Sequence, residues 1–448
     1  MPRFMIAAAH KSSGKTVVST GLAAALGEGV QTFKKGPDYI DPMWLSLASG
    51  RPCYNLDFNT MDREELLAFY ASRKCDFNLI EANKGLYDGV SVDGSDSNAE
   101  MAKLLKAPVI LVVDTNGTTR GIAPLLMGYQ AFDPAVNIAG VILNKTGGAR
   151  HESKLRTAVE TYTDIPVLGA VRRTDQLEIG ERHLGLTTPA ETGEVRAMID
   201  RFANIVGGSV DIDRLRDIAN GAQAVNIQLS PPTASKERPV RIAIARDTAF
   251  GFYYPDDLEA FASEGAELIP FDALHDPSLP QVDGLFIGGG FPETQMAKLS
   301  ANTNLRSDIK RKIEAGLPTY AECGGLMYLC ENMVWNGECH PMVGVVRGNA
   351  VMYPKPQGRG YARFTRTPDH PWEQGNTEIR AHEFHYARVE DLDQNTKFAR
   401  TITRGAGVDG QKDGIVMHNM VAGFCHLRSN NENPWVKEFV AFVRSKSR

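Results

Sequence analysis

The chain has 448 residues and a formal net charge of −5. That length exceeds one ordinary core and predicts two or three domains, while the mild acidity gives no footing for nucleic acid or an anionic membrane surface. No run of about 18 apolar residues occurs, Met1–Ala9 is too short for a signal peptide, and the six scattered cysteines form no CxxC pair, so a membrane span, a disulfide framework and a structural zinc site are not expected and a cytoplasmic protein is.

Phe4–Ala9 reads as a strand and Lys15–Leu26 as a helix, with Ala9-His10-Lys11-Ser12-Ser13-Gly14-Lys15-Thr16 between them. This is the strand–loop–helix setting of a P-loop, although the first position is Ala9 rather than glycine. The small residues Ser12, Ser13 and Gly14 let backbone N–H groups turn onto phosphate oxygens, and the helix N-terminus adds its positive dipole end. Lys15 is expected to reach the outer phosphates of ATP, and the Thr16 hydroxyl to hold Mg²⁺.

Val30–Lys35, Phe77–Ala82, Val109–Thr115, Ile138–Asn144 and Val167–Val171 read as further strands. They alternate with helices at Asp62–Arg73, Asn98–Leu105, Gly121–Phe132 and His151–Tyr162, which predicts an α/β fold with a mostly parallel, doubly wound sheet. Ligands of such sheets bind beyond the carboxyl ends of the strands. Asp38, Asp41, Glu81 and Asp114 stand there. Carboxylates in that place suit a magnesium ion, with a helix cap as the competing reading. Asn144, followed by Lys145, can read an adenine edge, although such dipeptides are common.

Ser230–Pro239 (SPPTASKERP) is rich in proline, serine and charge, and predicts a linker of residues 230–239 between domains 1–229 and 240–448. A second α/β series follows at Val240–Ala245, Ala266–Pro270, Gly284–Ile287, Pro318–Ala321 and Gly414–Met417.

In that series, Thr319-Tyr320-Ala321-Glu322-Cys323-Gly324-Gly325 reads as strand, sharp turn and helix. The turn sets Cys323 where the serine of a G-x-S-x-G elbow sits. The helix N-terminus favours a thiolate, and the N–H of Gly324 can donate to an oxyanion. Gly289 and Gly290, ending a strand, can supply a second donor. His426, after the strand-like Met420–Cys425, is the candidate base. Arg380–Tyr386 holds His382, Glu383 and His385 with strand alternation, and a polar rim of an active site is favoured over a metal site.

Together these motifs resemble the cobyrinic acid a,c-diamide synthase family in order along nearly the whole chain. The resemblance rests on FKKGPDYIDP, GLYDG, GVILNK, ERHLGL, ARDTAFGFYYPDDLE, GGGFPE, AECGGLMYL and HEFHY. It implies a dethiobiotin-synthetase-like P-loop domain joined to a class I (triad-type) glutamine amidotransferase domain. In this family, ATP phosphorylates the a- and c-acetates of a cyclic tetrapyrrole, and ammonia from L-glutamine displaces the phosphate. By motif, Cys323 is the nucleophile and His426 its base. Lys15 and Thr16 bind ATP·Mg²⁺ with Asp38 and Glu81 at the metal, and Asp41, Lys84 and Tyr87 lie toward the substrate. After His426 come Leu427 and Arg428 where many triad enzymes carry H-x-E, so a third member is not assigned. Lys84 could meet an extra carboxylate, which keeps sirohydrochlorin or sirohaem as alternative substrates. A homodimer is the expectation from base rates alone.

Overall fold

The structure, a computed structural model, describes residues 1–73, 75–182, 185–225, 237–372, 375 and 377–447. The chain divides into two compact units, Met1–Ser230 and Pro231–Arg448. Residues 230–236 of the expected linker, and His183 and Leu184 of ERHLGL, lie outside the described residues.

The first unit is built on seven strands: β1 (Arg3–Ala8), β2 (Val30–Lys35), β3 (Tyr54–Leu56), β4 (Phe77–Glu81), β5 (Val109–Asp114), β6 (Ile138–Thr146) and β7 (Val167–Arg172). Their order is β3-β2-β4-β1-β5-β6-β7, and every neighbouring pair is parallel. Helices α1 (Lys15–Leu26), α2 (Ile40–Ser49), α3 (Arg63–Ser72), α4 (Asn98–Leu104), α5 (Ile122–Phe132), α6 (Ala149–Tyr162), α7 (Val195–Gly207) and α8 (Ile212–Asn220) accompany them. Apolar runs such as RFMIAA in β1 are buried at every residue, as strands covered on both faces must be. One core carries Met5, Leu111 and Leu143, and the other Phe4, Val112 and Ile142. Helix α7 packs on α1 at Gly21, where a Cβ would stand 2.8 Å from the Phe202 carbonyl oxygen.

The sheet brings the loop after β1 beside the ends of β2, β4, β5 and β6. Asp38, Glu81, Asp114 and Asn144 all lie at this edge. Among the described residues no helix is long and apolar enough to cross a membrane.

The second unit centres on a nine-stranded sheet. Its parallel half runs Ala266–Phe271, Val240–Ala245, Gly284–Ile287, Thr319–Glu322 and Met420–Gly423. The other half is antiparallel and runs Lys412–Met417, Lys397–Arg404, Gly358–Arg366 and Ile379–His385. One face carries an aromatic core of Phe261, Phe286, Tyr320, Trp435 and Phe439. The opposite core includes Ile287, Leu326, Ile309 and Ile313.

Candidate active sites

The first candidate site lies at the carboxyl end of Thr319–Glu322. There the chain turns at Cys323 with φ 49° and ψ −104°, then enters the helix Gly324–Leu329. The Cys323 N–H donates to the Gly423 carbonyl (2.8 Å), and the Cys323 carbonyl accepts from Met327 N–H (3.1 Å). The turn needs its glycines. A Cβ on Gly325 would stand 2.3 Å from the Ile287 carbonyl oxygen, and one on Gly324 would stand 2.9 Å from Pro292.

His426 follows the neighbouring parallel strand, and its side chain hydrogen-bonds Cys323. Burial pulls its imidazole toward the neutral form, but the charge and hydrogen bond of Cys323, with Glu322, outweigh this and push it up to about 10. Glu322 lies 3.3 Å from His426 Nδ1. Its Oε1 accepts from Tyr320 Oη (2.7 Å) and Leu427 N–H (2.9 Å). The acidic neighbour sought after His426 thus stands before the nucleophile, inside the AECGG motif.

The glycine pair also reaches this site. Gly289–Gly290 pairs with Phe250–Phe252, and a Cβ on Gly290 would stand 2.0 Å from the Ala249 carbonyl oxygen. A Cβ on Gly289 would stand 2.7 Å from His426 Cε1. Gly289 therefore borders His426, while Gly290 and Gly324 approach one another.

The HEFHY cluster departs from the expected polar rim. His382, Glu383 and His385 are all buried. His382 stacks on His426 (centroids 4.8 Å, 14°), and the two residues exchange backbone hydrogen bonds. Burial, then His426 and Arg428, hold His382 well below its ordinary range. Glu383 accepts from Ala406 and Gly407 N–H (2.6 and 2.8 Å), and His385 stacks on Phe424. These side chains brace the site because both faces of their strand are covered.

The second candidate site is the loop between β1 and α1. Ser12 and Gly14 take positive φ (64° and 85°). Asn144 Nδ2 donates to the Ser13 carbonyl (2.8 Å), and a Cβ on Gly14 would strike that amide at 2.3 Å. Ser13 Oγ donates to the His10 carbonyl (2.8 Å). Lys145 bonds the Ser12 carbonyl (3.0 Å) and pairs with Asp114 (2.8 Å). Lys15 Nζ donates to the Lys84 carbonyl (2.6 Å), and Thr16 Oγ1 donates to Glu81 Oε1 (3.2 Å). Burial, then the neighbouring Lys34, pulls Lys15 down to about 8.

Lys34 is the residue here that the sequence reading did not single out. Its ammonium pairs with Asp41, lies 2.7 Å from Glu81 Oε1 and 3.8 Å from Asp38 Oδ2. Burial raises Glu81, and burial with Asp41 alongside pushes Asp38 up to about 7. Burial acts upward on Asp41 too, but Lys34 outweighs it and holds that carboxyl below its ordinary range. The carboxylates converge on Lys34, and the described residues contain no group of three or more His, Cys, Asp or Glu side chains set to hold a metal ion. Thr16 and Glu81 nevertheless suit a magnesium whose other ligands are phosphate and water oxygens. Both are oxygen donors, and Glu81 Oε2 is buried without a hydrogen-bond partner.

Lys84 has an exposed side chain and φ 42°. Tyr87 packs on Tyr129 and Phe132 and donates to the Tyr129 carbonyl (2.5 Å), so its hydroxyl is directed to α5.

Residues 241–434 match the family model of the CobB/CobQ-like glutamine amidotransferase domain, and residues 54–179 match that of an AAA domain. The cobyrinate a,c-diamide synthase of Magnetococcus marinus is 44% identical, covering 100% of this chain and 98% of that protein. That of Dehalococcoides mccartyi is 40% identical, covering 98% of this chain and 97% of its own. Among solved structures, PurLQS from Thermotoga maritima covers 46% of this chain and 97% of that chain at 16% identity and a TM-score of 0.36. Full-length identity at this level, with an amidotransferase domain and a P-loop unit in one chain, makes this protein a member of the cobyrinate a,c-diamide synthase family and an ATP-dependent, glutamine-hydrolysing amidotransferase.

Proposed function

We propose that the protein amidates the a- and c-acetate carboxylates of cobyrinic acid through acyl-phosphate intermediates. The observation that carries this reading is the full-length similarity to proteins named for that reaction, in a chain holding both a cysteine elbow and a P-loop. We assign residues 240–448 to glutamine hydrolysis and residues 1–229 to carboxylate activation, in a cytoplasmic enzyme acting as a homodimer.

In the glutaminase unit, Cys323 attacks the side-chain amide of glutamine. N–H groups of Gly289, Gly290 and Gly324 face the developing oxyanion. His426 protonates the departing ammonia, and water then releases glutamate from the thioester. In the ligase unit, Ser12, Ser13 and Gly14 cradle the phosphates and Lys15 draws charge from the transferring group. Asn144 braces the loop from the base side. Thr16, Asp38 and Glu81 would hold Mg²⁺, which neutralises phosphate charge. Asp41 and Lys84 bind the tetrapyrrole, with Tyr87 supporting that wall. A carboxylate is a poor electrophile, and phosphorylation gives it a leaving group that ammonia displaces.

The exposed Lys84 ammonium supports a second reading, in which sirohydrochlorin or sirohaem is the acceptor. The test is to offer cobyrinic acid, sirohydrochlorin and sirohaem with ATP and glutamine, and count amides by mass spectrometry. Two amides on cobyrinic acid are expected, with none when ATP is omitted. Amidation confined to a sirohydrochlorin-type ring selects the second reading, and no amidation of any ring rejects both.

A further inference from the structure

A cysteine–histidine pair needs something to hold the imidazole in one tautomer. Nδ1–H must point away so that Nε2 can exchange the proton with sulfur and the leaving nitrogen. We propose that Glu322, the residue immediately before the nucleophile, is the positioning carboxylate that fixes the tautomer and orientation of His426. This rests on the reading of Cys323 and His426 as the glutaminase pair.

The geometry is closed on every side. Glu322 is buried and lies 3.3 Å from His426 Nδ1. Its other oxygen is held by Tyr320 Oη at 2.7 Å and by Leu427 N–H at 2.9 Å, the residue next to His426. Tyr320 Oη in turn accepts from Arg400 Nη2 (3.2 Å), and Arg400 pairs with Asp413 (3.2 Å), both fully buried. Asp413 accepts from Phe424 N–H (2.8 Å) and Cys425 N–H (3.4 Å), the two residues before His426. The chain of contacts therefore begins at the imidazole and returns to the backbone that carries it.

The other carboxylates of this region have different tasks. Asp256 pairs with Arg428, Asp257 takes Ser429 N–H and Trp435 Nε1, and Glu383 takes two loop N–H groups. His382 covers the ring face, with Tyr254 and Arg428 behind it, and leaves the Nδ1 edge to Glu322.

The test compares Glu322→Gln and Tyr320→Phe with the unaltered full-length enzyme, in glutamine hydrolysis and in amidation from ammonium salts. Glutamine at 322 keeps the shape but can present an N–H to Nδ1 and favour the wrong tautomer. Glutaminase kcat should fall by about 10²- to 10⁴-fold with KM for glutamine little changed, as for loss of an orienting acid. The alkaline limb of kcat/KM should move to lower pH, and amidation from ammonium should persist. A Glu322→Gln kcat within about threefold of the unaltered enzyme would overturn the proposal, because loss of the positioning carboxylate should cost far more. If Glu322→Gln also loses ammonium-dependent amidation, Tyr320→Phe decides. A fall of about 5-fold or more with the same pH displacement supports the role, and an unchanged profile rejects it. An unaltered enzyme that amidates from ammonium but does not hydrolyse glutamine would instead overturn the glutaminase reading itself.

Discussion

The ammonium of Lys34 and the carboxylate of Glu81 meet at 2.7 Å with side chains only 3% and 0% exposed. Asp41 completes the contact from the first turn of α2. Removing one member of such a cluster strands buried charge. Lys34→Met should therefore destabilise the first unit by about 3–5 kcal/mol, more than its lost contacts alone suggest. Urea denaturation measures the loss, and Mg²⁺ should recover more of it in the variant than in the parent. An unchanged midpoint would show that the carboxylates do not depend on Lys34.

The two proposed chemistries should separate by substitution. Cys323→Ala is expected to abolish glutamine-dependent amidation and leave amidation from ammonium salts. Lys15→Ala is expected to abolish amidation from either nitrogen source while glutaminase activity continues. Loss of both activities in Cys323→Ala would count against two separable sites, and full amidation by Lys15→Ala would count against the P-loop.

His426 predicts a pH profile. A group whose pKa is raised keeps its proton below that value and loses it as pH rises through it. With His426 pushed up to about 10, the acid form that serves the leaving ammonia persists across the neutral range. The alkaline limb of glutaminase kcat/KM should fall near pH 10 rather than near the ordinary histidine value. A limb centred near 6.5, the unshifted value, would show that the Cys323 and Glu322 contacts are not made in the working enzyme.

One substitution at two glycines should give opposite signs. Gly325→Ala would force a methyl to 2.3 Å from a backbone oxygen in the adjoining strand. A loss of about 1–3 kcal/mol and of most glutaminase activity is expected. Gly128 lies within α5 with nothing in reach of its Cβ, so Gly128→Ala should raise stability by up to about 1 kcal/mol. Thermal melts of both variants check the pair, and stabilisation of the elbow variant would mean the turn can relax.

Much of the fold was legible because buried strands announce themselves. Val30–Lys35, Val240–Ala245 and Gly284–Ile287 span the same residues in the structure as in the sequence prediction. Helix α2, which begins at Ile40 within FKKGPDYIDP, was not among the predicted elements, since a proline inside a helix would break it. Pro42 instead sits in the first turn, where proline costs no hydrogen bond. In the antiparallel half of the second sheet, Lys397–Arg404 and Gly358–Arg366 were missed because cations interrupt their apolar pattern. Lys34 escaped notice because its three partners lie four, seven and 47 positions away, a relation that exists only once β2 and β4 are neighbours. Glu322 was in plain view, but the acid was sought after the histidine.

The backbone at Cys323, at φ 49° and ψ −104°, is a conformation that a side chain with a Cβ adopts at a cost of about 1–3 kcal/mol. The enzyme therefore keeps its nucleophile on a spot that its own fold would rather give to glycine. A chain drifting without selection for nitrogen transfer would gain ruggedness there as it lost the thiol, so a sturdier relative with glycine at this turn would be recognisable as one that has retired from glutamine chemistry.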